Sequence, residues 1–183
     1  MPAHNQESRM PDRLLTAPLA AVEDYFQRSH GQWHSQRRYY TLKSGDVQEV
    51  ISTIGVTALT QGDRDLLDLA ALHQLDVDLL CGACVTWQSE YQGPEGKTQE
   101  GRTVFGVLGD RLYRDSGFAT RKPVIARFQL NNPDTLTLRS EYGGSSFEEE
   151  CRLIGQHYRT RQTIISRAGE EIMIGQYLEQ RLA

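Results

Sequence analysis

Between Phe147 and Arg167 the chain reads FEEECRLIGQHYRTRQTIISR, which sets Arg159 and Arg161 close together after an acid, Glu149. Strand side chains alternate between faces. On a strand over Tyr158–Ser166, Arg159, Arg161, Thr163 and Ile165 share one face, and Tyr158, Thr160, Gln162 and Ile164 the other. Turned into a cavity, the first face must give each guanidinium an anion or other acceptors, because an unpaired buried charge is very costly. Such a pair suits ligand carboxylates, which accept forked hydrogen bonds. Turned outward, it is an exposed cationic row, and the spacing leaves both readings open. Glu149 shares its face with Phe147, Cys151 and Leu153. An acid there is either ion-paired or held with a raised pKa as a proton donor. Arg159 and Arg161, on the next strand of the same hairpin, are the expected partners.

Other candidates are weaker. Trp33, Ser35, Arg37, Tyr39 and Thr41 share a strand face, which leaves Arg37 as a structural arginine or a ligand contact. Trp87 falls in phase with Cys81, Ala83 and Val85, as core or as the wall of a hollow barrel. Cys81 and Cys84 form a CxxC, but positions three apart on a strand point to opposite faces. Cys151 and five scattered histidines supply no further ligand spacing, so no metal site is expected. The chain has no GxGxxG, P-loop, GxSxG or HExxH pattern to support nucleotide hydrolysis, zinc proteolysis or α/β-hydrolase chemistry.

The elements that must position these residues are mostly strands. A helix is expected over Pro18–Ser29, with Thr16 as its N-cap, and a short one over Asp63–Gln74. Period-two segments cover Trp33–Leu42, Val47–Leu59, Cys81–Tyr91, Arg102–Leu108, Val124–Leu130, Thr135–Tyr142, Phe147–Ile154 and Tyr158–Ser166. Ile172–Arg181 fits strand or helix, and strand is favoured. Tight turns join these segments, which predicts an all-β antiparallel barrel of about eight to ten strands around an apolar cavity. Residues 1–15 read as a frayed tail and 16–183 as one domain.

The composition agrees with a water-soluble globular protein. The 183 residues carry 38% hydrophobic and 24% charged residues, a net charge of −4 and a pI near 5.7. Nothing there favours nucleic acid, and no apolar run reaches the roughly 18–20 residues of a membrane span. Three cysteines without framework spacing, and an N-terminus without an apolar leader, point to a reducing, cytoplasmic setting. Arginine outnumbers lysine by 17 to 3, which favours specific planar ion pairs over a diffuse basic surface.

In order along the chain come Gly31, Trp33 and Ser35-Gln36-Arg37; Val85-Thr86-Trp87; Leu112-Tyr113-Arg114 with Ala119 and Pro123-Val124; Leu136, Leu138 and Tyr142; then Phe147-Glu148-Glu149 and Tyr158-Arg159, Arg161, Thr163. That series resembles the S/U-type phycobiliprotein lyases, from about Ala20 to the C-terminus. The closing QTIISRAGEEIMIGQYLEQRL looks most like the U-type subunit. Arg38-Tyr39-Tyr40 departs from the Thr-His-His-like stretch of many S-type members. The resemblance implies a lipocalin- or fatty-acid-binding-protein-like barrel. It implies no cofactor, but an open-chain bilin substrate, phycocyanobilin or a relative, passed to a cysteine of an apo-phycobiliprotein. Arg37, Arg159 and Arg161 carry over as propionate and pyrrole contacts, Trp87 as wall, and Glu149 as the pocket acid. Thr163 stands where the family often has Ser. It further implies a homodimer, or a heterodimer with an S-type subunit. A bilin carrier without catalysis, and a structural partner subunit, are the alternatives.

Overall fold

A computed structural model describes residues 19–183; the tail, the Thr16 cap and Pro18 lie outside the described residues. Helix α1 (Leu19–Ser29) leads into β1 (Gly31–Thr41) and β2 (Asp46–Thr60), and α2 (Arg64–Leu72) follows. Next come β3 (Cys81–Tyr91), β4 (Thr98–Leu108), β5 (Arg111–Arg114), β6 (Val124–Asn132), β7 (Thr135–Tyr142), β8 (Ser145–Ile154), β9 (Tyr158–Arg167) and β10 (Glu170–Arg181). Every strand pairs antiparallel with its neighbour in sequence, and β10 closes on β1 to complete the barrel. Closure removes both sheet edges.

The all-β antiparallel barrel is as the period-two pattern predicts, and Ile172–Arg181 lies within a strand. One strand went unread. The turn at Gly109, where φ is +62°, reverses the chain into the four-residue β5. Helix α2 ends at Leu72 rather than Gln74.

Helix α1 plugs one end. Val22, Tyr25, Phe26 and Ser29 recur at helical spacing and are all buried. They pack on Trp33, Ile54, Ala83, Val107, Leu112, Phe128, Leu136 and Leu153, inward-facing residues at that end of the strands. Arg28 ties the helix to the β6–β7 turn through Asp134 at 2.7 Å. Arg181, the last residue of β10, donates to the Arg28 carbonyl at 2.5 Å and to the His30 carbonyl. The closing strand thereby satisfies carbonyls at the helix C-terminus that have no partner within the helix.

Helix α2 packs outside the barrel, with Leu66, Leu69 and Ala70 against Leu79 and Val104. Glycines make room at that contact: Gly82 pairs with Gly106 across β3 and β4. A Cβ on Gly82 would lie 1.9 Å from the Phe105 carbonyl oxygen, a backbone atom with no flexible end to move. Gly82→Ala is therefore expected to lower unfolding free energy by about 1–3 kcal/mol through overpacking, as read by urea denaturation.

Candidate functional site

The register stacks the inward-facing residues of four strands into layers. Nearest the plugged end, Leu153, Arg159, Glu179 and Ser35 are successive partners from β8 through β9 and β10 to β1. The next layer is Cys151, Arg161, Tyr177 and Arg37; the one above is Glu149, Thr163, Gly175 and Tyr39. Arg37, Arg159, Arg161, Thr163 and Glu149 thus converge on one lumen. Trp87 enters it from β3 and lies flat over Gly101 of β4, where a Cβ would meet the indole at 2.2 Å.

Glu179 sits at the centre of the lower layer with 0% exposure. It accepts from Arg159 Nε, from Ser35 Oγ at 3.0 Å and, more loosely, from Arg161 Nη1 at 3.5 Å. Burial alone would push this carboxyl up. Arg159, Arg161 and the hydrogen bonds overcome that and hold it below the ordinary carboxylate range. The Arg159 guanidinium also lies 4.4 Å from the Trp33 ring centroid. Arg161 keeps 29% side-chain exposure and sits 4.8 Å from the Tyr177 ring centroid. Burial works to lower its pKa, but Glu179 and its other neighbours raise it, so the guanidinium stays charged.

Among the described residues, Arg37 has no carboxylate partner. It donates to Ser89 Oγ at 3.0 Å, to Ser52 Oγ and to Tyr39 at 3.4 Å, and its Nε is buried without a partner. Ser35, Ser52 and Ser89 are register partners across β1, β2 and β3 and form a buried hydroxyl row beneath it. Thr163 is buried, with its hydroxyl 3.4 Å from that of Tyr177.

The expected pairing of Glu149 with Arg159 or Arg161 is corrected. Register places Thr163 opposite Glu149, and Arg114 of β5 reaches its Oε1 at 2.9 Å. Sequence reasoning also passed over Glu179, Tyr177 and the serine row. The signal was available, because Gly175, Tyr177 and Glu179 alternate on the last strand and inward arginines require an acid. The lumen is not uniformly apolar. Val85, Trp87, Phe105, Leu138 and Cys151 give it hydrophobic walls that stay partly accessible, but arginines and serines cross its mid-height. Two grooves of about 580 and 420 Å³ lie mainly along outward-facing side chains, such as Gln36, Gln176 and Leu178 in the larger and Arg127, Arg139 and Glu148 in the smaller. Arg37, Arg161 and Tyr177 also border the larger groove, but their register sets them in line with Glu179 and Glu149 on the inner face of the barrel.

The CxxC divides between two environments. Cys81 joins the core under α1, where burial, with Glu23 adding, pushes its thiol up to about 12. Cys84 packs outside near α2, and burial raises it too.

Removing Glu179 strands Arg159 in the interior, so Glu179→Ala is expected to cost about 3–5 kcal/mol at neutral pH. The folded-state pKa of Glu179 is depressed, so its contribution is complete above the unfolded glutamate value of about 4.3 and fades as pH falls toward the folded value. Denaturant titrations from neutral to acid pH should therefore show the wild-type and Glu179→Ala curves drawing together below about pH 4.

The CpeS-like protein family model matches residues 21–182. A Nostoc sp. protein with the provisional name phycocyanobilin lyase CpcS 2 is 54% identical over 171 residues, covering 92% of this chain and 95% of the relative. A Picosynechococcus sp. protein, provisionally named chromophore lyase CpcV, is 47% identical over 181 residues, covering 97% and 90%. Among solved structures, the S-type phycobiliprotein lyase CpeS of Guillardia theta superposes with a TM-score of 0.74 at 22% identity, covering 88% of this chain and 93% of that one. At that identity the likeness concerns the fold, whereas the family match and the two relatives extend along nearly the whole sequence. The chain belongs to the CpeS-like family.

Proposed function

We propose that this protein is a bilin lyase: it binds an open-chain tetrapyrrole in the barrel and directs its attachment to a cysteine of an apo-phycobiliprotein. The observation that carries this reading is the unmatched positive charge of the lumen. Its strand residues bring four guanidiniums, from Arg37, Arg114, Arg159 and Arg161, against two carboxylates, Glu149 and Glu179. A bilin supplies two propionates on a long apolar body. Arg37 and Arg161 are the free hands for the propionates, Trp87 and Phe105 supply wall, and Glu149 faces the pyrrole nitrogens. Thr163 acts from behind the Tyr177 hydroxyl. Arg159 serves the ligand by fixing Glu179 and the layer around it.

In the reaction the acceptor's thiol adds across the exocyclic double bond of the A ring. A carbon–sulfur bond forms at the ethylidene carbon, and the thiol proton ends on the ring. The lyase contributes orientation and an electrostatic environment that favours the protonated, more electrophilic pigment. It needs no thiol and no resident cofactor. The relatives' names support this reading: phycocyanobilin lyase in one case, chromophore lyase in the other. We place the reaction in the cytosol, where three free cysteines stay reduced. The protein acts as a homodimer or beside an S-type subunit.

The test is co-expression of the chain with bilin synthesis and an apo-β-phycocyanin, with and without an S-type partner, followed by absorbance of the denatured acceptor. Covalent pigment without the partner supports independent catalysis. Pigment that binds the chain but never becomes covalent marks a carrier, and transfer only with the partner marks a subunit. Arg161→Ala is expected to weaken phycocyanobilin binding roughly ten- to hundredfold, the loss of one charge-assisted contact of about 1.5–3 kcal/mol. Cys81→Ser, Cys84→Ser and Cys151→Ser should each leave transfer largely intact. A pigment thioether on any of the three that passes onward to the acceptor would falsify the acceptor-thiol route.

A further inference from the structure

Arg114 has no task yet beyond neutralising Glu149, although it is held with unusual care. Its guanidinium is buried, lies 4.7 Å from the Phe105 ring centroid and donates through Nη1 to Glu149 Oε1 at 2.9 Å. Nε is buried, and among the described residues it has no partner. Behind it, His73 Nε2 bonds the Arg114 carbonyl at 2.8 Å, so the residue that caps α2 fixes the backbone of β5. Glu149 spends only one oxygen on this contact. Among the described residues, Oε2 has no hydrogen-bond partner, although the side chain is just 13% exposed.

We propose that Arg114 is the positioning residue of Glu149: it anchors one carboxylate oxygen so that the other receives the pyrrole N–H groups of the bound bilin. This rests on the bilin reading above. An inward glutamate on a strand retains several rotamers, and a charge-assisted bond to a stacked, immobile guanidinium selects one of them. Held this way, Glu149 presents its second oxygen to the ring nitrogens. Its service to the pigment is then to stabilise positive charge across the ring nitrogens, rather than to hand over a proton of its own. The color of the bound pigment reports this contact directly, because the long-wavelength band follows the charge and hydrogen bonding of the pyrroles. An ion pair that merely stabilises the barrel would not move the band.

The test uses the full-length protein loaded with phycocyanobilin, comparing wild type with Arg114→Gln, Arg114→Lys, Glu149→Gln and the Arg114→Gln/Glu149→Gln double variant. Arg114→Gln and Glu149→Gln are expected to shift the bound band in the same direction. Each should slow transfer at saturating pigment by about tenfold or more, with the dissociation constant within a few-fold of wild type. The double variant should match the singles rather than add their effects, since both act through one contact. Arg114→Lys keeps the charge but loses the planar fork, so its band should move part-way. A wild-type band and rate in Arg114→Gln, with only a lower melting temperature, overturns the proposal, as does simple additivity in the double variant. Should Arg114→Gln fail to fold, an unmoved band in Arg114→Lys overturns it equally. Failure of the wild-type protein to take up phycocyanobilin sinks the bilin reading before any substitution is compared, and this inference with it.

Discussion

A carboxylate without solvent exposure, at the centre of a barrel, is the constraint on which the rest of the structure depends. Glu179 would be far too costly to bury alone, and it persists because Arg159, Arg161 and Ser35 surround it. Those partners in turn inherit fixed positions. Arg159 is drawn onto the Trp33 ring, while Arg181 lies 4.2 Å from the same ring centroid and binds the carbonyls that end α1. One ion pair therefore links the floor of the lumen to the plug that closes the barrel. Isolated buried pairs are poor sources of net stability but strong enforcers of geometry once the chain has committed to them. That is their use here: β9, β10 and β1 cannot slip by one residue without exposing Glu179 or stranding an arginine.

The barrel changes character along its axis. Around α1 it is a dry hydrocarbon core. At mid-height it becomes a polar lattice of arginines, serines and Tyr177. At the far end it is aromatic, with Tyr142 stacked on Phe147 at 4.2 Å and Phe118, from the β5–β6 connection, 6.1 Å from Phe147 and 6.3 Å from Tyr39. Such a gradient fits an amphiphilic guest that carries its charges part-way along an apolar frame. The hydroxyl row beneath Arg37 has a specific role in it, because serines hydrogen-bond a guanidinium without neutralising it. Aspartate in place of Ser52 or Ser89 would have filled the site from within.

Strand identity was legible in the sequence because each strand alternates and each turn carries glycine or proline. That Arg159, Arg161 and Thr163 share one face of β9 was legible for the same reason, but the spacing alone left open whether that face turns inward or outward. Partnership was not legible. Whether Glu149 meets an arginine of β9 or of β5 depends on register and on the diameter of the barrel, and neither is encoded within a single strand. Strand β5 itself is too short to show a period, so the face of Arg114 could not be read from the sequence. Glu179 was missed for a different reason. Its segment, favoured as a strand, already alternates Gly175, Tyr177 and Glu179, but which of its two faces turns inward is defined only by its pairing with β9 and β1.

The pairing pattern separates residues that build the pocket from those left for a guest. Arg159 and Arg114 each have a carboxylate and an aromatic face, which leaves them little to offer. Arg161 and Arg37 share the Tyr177 ring; Arg161 reaches Glu179 only at the limit of hydrogen-bonding distance, and the hydrogen bonds of Arg37 go to hydroxyls alone among the described residues. Among the described residues, the strand acids of the lumen do not cancel its cationic charge, a cost tolerated in the folded chain. A dianionic ligand removes that cost, so its binding energy and the protein's stability are coupled through the same two side chains. Filling the lumen with another internal acid would make the empty protein more stable and the pocket less receptive, a common conflict between stability and function in binding sites.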